Sequence, residues 1–186
     1  MTLVAGPSGS GKSTLFPVAK LCTAAFNVDD RAASLHGAYL GIPQATRRQA
    51  QLECEAFVRT QIESRASFAV ESTLRSRAGL DQAAAARAAG FNTHLIYVCT
   101  DDAEENVQRI ARRGRLGGHS APATEIRAIY AASLANFATC RDLFDEADIY
   151  DASKRWDGPV CLARLRAGRL HAQSPLPAWM PAAWQQ

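Results

Sequence analysis

Lysine is nearly missing: only three of the 21 basic residues are lysines (Lys12, Lys20 and Lys154), and the net charge is a modest +3. No compact basic tract appears, which disfavours nucleic acid as the main partner. No apolar stretch approaches the length of a membrane span, and no basic region followed by a long apolar core opens the chain. Export and membrane spanning are therefore not expected. Cysteine is sparse and scattered: Cys22, Cys54, Cys99, Cys140 and Cys161 form an odd set with no C-x-x-C pair. That argues against a disulfide framework or a zinc site and predicts reduced thiols in a cytoplasmic protein, with Cys99 in the core.

Against these absences stands the run Gly6-Pro7-Ser8-Gly9-Ser10-Gly11-Lys12-Ser13-Thr14, straight after apolar Leu3-Val4-Ala5. It fits G-x-x-x-x-G-K-[ST], for which a chance match at any one position is rarer than about one in ten thousand. Glycines let the backbone turn tightly and aim several N–H groups at one anion, and the following helix adds its positive end. Lys12 has the reach for β- and γ-phosphates, and the Ser13 hydroxyl suits a Mg2+ shell. The expected ligands are a nucleoside triphosphate and Mg2+, held by Gly6, Gly9, Ser10, Gly11, Lys12, Ser13 and Thr14.

With 186 residues, 47% of them hydrophobic, the chain can bury a full core. Apolar, β-prone runs recur at 2–5, 68–70 and 94–99, with a weaker one at 147–150. Helical patterns fall between and after them, at 12–25, 45–65, 77–89, 102–113 and 123–140, the last opening at Thr124. This alternation predicts an α/β three-layer sandwich around a mainly parallel sheet. Gly90 should stop the helix 77–89. Residues 160–164 and 169–171 flank Ala167-Gly168 and read as an edge hairpin. Residues 1–172 are expected to form one domain. The tail 173–186, with three prolines and two tryptophans, is either a loose extension or a docked strap.

Three further stretches carry chemistry. Phe26-Asn27-Val28-Asp29-Asp30 reads as a short strand ending in two carboxylates, and Asp29 is the candidate to take a proton from an acceptor hydroxyl; capping of the next helix is the competing role. The strand Ser67–Val70 ends in Glu71-Ser72-Thr73-Leu74-Arg75, where Glu71 suits Mg2+ through water or a substrate hydroxyl; a helix cap beside an exposed arginine is the competing reading. The segment 109–119 places Arg109, Arg112, Arg113 and Arg115 on and just after a helix end, then Gly117-Gly118 and His119. Arginines on a mobile lid can neutralise a transferring phosphoryl group; a solvated helix end favoured by the dipole is the competing reading.

GPSGSGKST at 6–14, NVDD at 27–30, ESTL at 71–74, R-x-x-x-R at 109–113, GGHSAP at 117–122, Ile126-Arg127, Tyr130 and YDAS at 150–153 together resemble the zeta toxin-like kinase family of phosphate-loop proteins. The resemblance covers most of residues 2–153. It implies a phosphate-loop kinase fold with an arginine-bearing lid at about 109–122. It also implies transfer of the ATP γ-phosphate to a sugar hydroxyl, in the best-known members that of UDP-N-acetylglucosamine. Asp29 would then be the general base, Glu71, Thr73 and Arg75 would bind the acceptor, and Arg109 and Arg113 would contact phosphates. Arg115, His119 and Arg127 would lie on or beside the lid, with Asp151 and Ser153 near the nucleotide base. An antitoxin protein joins the candidate partners.

Two other classes remain at this point: a nucleotide-gated switch or slow ATPase, and a nucleic-acid kinase. The absence of N-K-x-D disfavours a GTPase, and the absence of L-S-G-G-Q disfavours a transporter-type ATPase.

Overall fold

The computed structural model describes residues 1–21, 24–118, 120–153, 158–173 and 175–185. A seven-stranded sheet has the order β2-β3-β1-β4-β5-β6-β7. The strands are β1 (Thr2–Ala5), β2 (Ala24–Asn27), β3 (Phe68–Ser72), β4 (His94–Cys99), β5 (Glu146–Asp151), β6 (Val160–Arg166) and β7 (Arg169–Ala172). The first five pair in parallel, and β6 and β7 close one edge antiparallel. The expected α/β sandwich with a mainly parallel sheet is what forms.

Side-chain alternation divides the sheet into two faces. On one, Leu3, Phe68, Val70, Leu95 and Tyr97 join the main core. Helices α5 (Ala78–Ala88) and α7 (Ala123–Phe137) cover that face: Tyr97 stacks on Phe137 with ring centroids 3.8 Å apart and shares a 3.1 Å hydrogen bond with Ser133 of α7. On the other, Val4, Ala69, Ile96 and Val98 pack under α1 (Lys12–Leu15) and α2 (Val18–Leu21). Helices α3 (Val28–His36) and α4 (Gln44–Glu63) meet over a small core of their own, built from Ala32, Ala33, Ile42 and Ala50.

Several boundaries differ from the sequence expectation. The helix expected over 12–25 breaks at Phe16-Pro17, because proline has no N–H to donate and disfavours helical geometry in the residue before it. Phe16 accordingly sits at φ −132°, ψ 64°. The strand expected to carry Asp29 ends at Asn27, and both carboxylates fall in the first turn of α3. The α7 helix opens one residue before Thr124, on the Pro122 carbonyl. The edge hairpin forms as expected, with Ala167 at φ 50° and Gly168 at φ 74° in its two-residue turn. Gly90, at φ 85°, ends the α5 segment.

The tail is a docked strap. Trp184 is fully buried; its indole stacks on Phe137 with centroids 4.9 Å apart and donates to the Phe137 carbonyl at 2.9 Å. The four described cysteines, Cys54, Cys99, Cys140 and Cys161, are free thiols, and Cys99 is buried in the core. Among the described residues no helix is long and apolar enough to cross a membrane.

Candidate active site

The parallel register gathers the site at one end of the sheet. Asn27 is level with Glu71, and Val4 with Glu71 as well, so the carboxyl ends of β2, β3 and β1 open side by side. That is where open α/β sheets present their ligand sites. The loop 6–11 leaves β1 and enters α1. Gly6, at φ 139°, lies so close to β4 that a Cβ would stand 1.9 Å from the Val98 carbonyl oxygen. Gly9 packs likewise against Asn106 of α6 (Ala103–Arg115). These two contacts explain the glycines beyond their turn geometry.

Lys12 is 5% exposed, and its Nζ donates to the Pro7 carbonyl at 3.0 Å, curling back over the loop. Burial pushes its ammonium below the ordinary lysine range, opposed by the charges of Glu71 and Asp29. Alternation along β3 sends Phe68 and Val70 into the main core and Glu71 to the face of α1. There Ser13 Oγ donates to Glu71 Oε1 at 2.8 Å. Burial raises the Glu71 carboxyl, with Lys12 and the Ser13 hydrogen bond pulling it back.

Two buried oxygens here lack partners: Ser10 Oγ and Glu71 Oε2. A hydroxyl and a carboxylate left open beside a cradle of backbone N–H groups fit a phosphate chain and its divalent cation. Ser13 and Glu71 offer the hard oxygen donors Mg2+ prefers. Among the described residues no cluster of three or more His, Cys, Asp or Glu could hold a metal alone.

Two cavities meet at this point. One runs along the loop, from Gly9 to Leu15, and is closed by Arg109, Arg113 and Pro159. The other extends between β3, α4 and α5 past Gln51, Thr73 and Arg75. Their shared wall is Ser8, Asp29, Glu71 and Thr73. Asp29 is held there by α3: its N–H, with that of Asp30, donates to Asn27 Oδ1 at 2.9 and 3.2 Å. Asn27 is therefore the helix cap, which leaves the Asp29 carboxylate free of that duty.

The arginines separate. Arg113 lines the loop cavity. Arg109 lines it too, and its Nη1 donates to the Gly9 and Ser10 carbonyls at 3.5 and 3.3 Å, and Nη2 to the Ala152 carbonyl and to Glu105. It ties α6, the loop and the end of β5 together. All four arginines lie within α6, which runs two residues further than expected. Gly118 donates to the Arg113 carbonyl at 3.0 Å and Gly117 takes φ 78°, so the glycine pair closes the helix end. Arg115 and Arg127 line neither cavity, and Arg127 is paired with Glu104 on the surface. Arg75 lines the second cavity, 3.9 Å from Glu125. Ser153 and Asp151 hydrogen-bond to each other in a turn that holds the Asp101 N–H. His119 lies outside the described residues.

Residues the motifs did not single out complete the second cavity, chiefly Arg47 and Gln51 of α4. Their signal was helical period: Arg47, Ala50, Cys54 and Val58 share one face, and the last three are buried.

No curated protein matches the sequence. Among solved structures, a chain of the AvrRxo1-ORF1:-ORF2 complex with ATP matches with a TM-score of 0.70 at 16% identity, over 92% of this chain and 60% of that one. A chain of the PezAT chromosomal toxin–antitoxin system of Streptococcus pneumoniae matches at 0.62 and 17% identity, over 86% and 68%. A sugar kinase from Janibacter sp. HTCC2649 matches at 0.50 and 20% identity, over 81% and 84%. At these identities the likeness is one of fold, and the chain spans 60% of the AvrRxo1 complex chain it matches. Residues 1–135 match the AAA_33 family, described as an AAA domain, and the chain belongs to that family.

Proposed function

We propose that the protein is an ATP-dependent kinase that transfers the γ-phosphoryl group to a hydroxyl of a small-molecule acceptor, with a UDP-activated amino sugar as the first candidate. The observation that carries this reading is the shared wall of the two cavities, where Asp29, Glu71 and Thr73 stand between the phosphate loop and a second binding space. A nucleotide switch or a simple ATPase has no need of that second space.

The loop N–H groups, Lys12 and the Ser10 hydroxyl hold the phosphates of ATP. Ser13 and Glu71 would hold Mg2+, which when bound neutralises charge on the β- and γ-phosphates. Asp29 orients the acceptor hydroxyl and takes its proton as the new O–P bond forms. The bond from the γ-phosphorus to the β–γ bridging oxygen breaks, and ADP leaves. Arg113 neutralises charge on the moving group. Arg109 acts on the loop from behind, as a positioning residue.

The ATP-bound AvrRxo1 complex and the toxin–antitoxin relative support ATP as donor and a protein antitoxin as a further partner. A cytoplasmic location accords with the free thiols. The test is ATP consumption with and without a panel of UDP-sugars and simple sugars. Consumption that requires an acceptor and yields a phosphorylated product supports the kinase. Equal consumption with no acceptor moves the protein to the slow ATPase class.

A further inference from the structure

Five buried side-chain polar atoms among the described residues lack a hydrogen-bond partner, and four of them, on Ser10, Glu71, Asn106 and Arg109, surround the phosphate loop. Buried polar groups are ordinarily paired, so their concentration here belongs to the loop and the helix behind it. Asn106 is the one without a role in the proposed reaction. It is fully buried on α6, on the face that carries Arg109 one turn later. Its backbone lies against the loop: a Cβ on Gly9 would stand 2.8 Å from the Asn106 carbonyl oxygen.

One end of the Asn106 amide is fastened. Thr100, just after β4, donates from Oγ1 to Asn106 Oδ1 at 2.7 Å, a shorter contact than the 3.3 Å it makes to the Asp102 carbonyl. Thr100 is itself buried, and its carbonyl accepts from the Tyr130 hydroxyl of α7 at 2.6 Å. The end of β4, with α6 and α7, thus fixes the amide, and Nδ2 is left without an acceptor among the described residues. A buried donor in that condition is costly, and a nearby acceptor would relieve it.

The residue after Gly9 offers one. Ser10 is fully buried, and its Oγ is another of the unpartnered atoms. The Ser10 N–H and the Lys12 ammonium both donate to a single atom, the Pro7 carbonyl oxygen, at 3.2 and 3.0 Å. A bound phosphate chain competes for both donors, because loop N–H groups and the loop lysine are what hold it. Giving up the Pro7 contact frees Ser10 to turn, while Arg109 still grips its carbonyl.

We infer that Asn106 is a positioning residue for the transfer: with nucleotide on the loop, Asn106 Nδ2 donates to Ser10 Oγ and so turns the Ser10 proton toward the phosphates. A serine hydroxyl has one proton, and one that accepts from Asn106 keeps it for the anion. Thr100, Asn106 and Ser10 then each donate to the next, in a chain that ends on a phosphate oxygen and strengthens along its length. This inference rests on the kinase reading for the nucleotide and adds the group that orients the loop hydroxyl.

The experiment is a double-mutant cycle on the full chain with Asn106→Ala and Ser10→Ala, read in two ways. One is calorimetric titration of a non-hydrolysable ATP analogue with Mg2+, and the other is Tm without nucleotide. Each single variant should weaken analogue binding by about tenfold, and the double variant by no more than either alone. The Tm shifts without nucleotide should instead add, because the two side chains are not joined there. Thr100→Val, which unfastens the amide but leaves it in place, gives an independent loss of analogue affinity should Asn106→Ala weaken the fold. Analogue losses that multiply in the double variant, full affinity in Thr100→Val, or equal coupling in Tm without nucleotide each overturn the inference and leave the kinase reading standing. Failure of the analogue to bind the parent protein overturns both.

Discussion

Ser13 Oγ donates a 2.8 Å hydrogen bond to Glu71 Oε1, joining the first turn of α1 to the end of β3 across 58 residues of sequence. The contact exists because β3 lies beside β1 in the sheet and sends Glu71 to the face that α1 covers. It brings together a hydroxyl and a carboxylate, the two groups that would hold Mg2+ in the proposed kinase. Ser13→Ala and Glu71→Gln are each expected to lower kcat by about 100-fold or more, as the loss of a preorganised charge-stabilising group does. Chelation of Mg2+ should abolish transfer in the unaltered protein. Steady-state rates across a Mg2+ titration check this; a substitution that leaves the titration unchanged removes that residue from the metal's shell.

Lys12 is buried and Glu71 half-buried, and the charge of each offsets part of the other's burial cost. Removing one leaves the other uncompensated, whereas removing both at similar volume does not. Lys12→Met and Glu71→Gln should therefore each lower Tm, and the double variant should be at least as stable as the parent, though inactive. A double-mutant cycle from thermal unfolding measures the coupling.

Arg109 and Arg113 differ by four residues, yet they should fail differently. Arg109 holds the Gly9, Ser10 and Ala152 carbonyls, so Arg109→Ala should loosen the loop, raise KM for ATP and lower Tm. Arg113 lines the cavity, and Arg113→Ala should act mainly on kcat. Kinetics and melting curves on both variants separate a positioning residue from a catalytic one.

Burial holds the Cys54 thiol up at about 11 and the Cys99 thiol up at about 12. The folded state keeps these protons where the unfolded chain, with ordinary thiols near 9, has lost them. Their contribution to stability is thus complete below about pH 9 and is lost as pH rises through 11 to 12. Both should resist alkylation at pH 8 in the native protein and react once it is unfolded. Mass spectrometry after a timed alkylation reads this directly.

Much of this was legible in the sequence because it depends on local rules. The phosphate loop, the strand runs and the hairpin at Ala167-Gly168 follow from residue type and spacing alone. The break at Pro17 was equally local, but a continuous helical pattern on either side concealed it. The tail was not legible: Trp184 is buried only because Phe137 of α7 offers its ring and its carbonyl, a long-range pairing that periodicity does not encode. Arg109 had the same difficulty, since a lid arginine and one that fastens the loop from behind look identical in sequence. Arg47 showed as one more charged residue on a helix until α4 was seen to flank the Asp29 carboxylate.

The docked tail makes its own prediction. Trp184→Ala should cost about 3–5 kcal/mol, the range for emptying an aromatic site in a core, while Trp179→Ala, at a half-buried ring, should cost less. Denaturant unfolding of the two variants checks the order.

The most direct test of the account compares the intact protein with Asp29→Asn, measuring ATP-analogue binding and, by mass spectrometry, phosphorylation of a panel of hydroxyl acceptors that includes UDP-N-acetylglucosamine. The account predicts similar nucleotide affinity in both proteins and a singly phosphorylated acceptor from the intact protein alone. A variant that forms product at the parent's rate would contradict it, because the carboxylate at the junction of the two cavities would then have no part in the transfer.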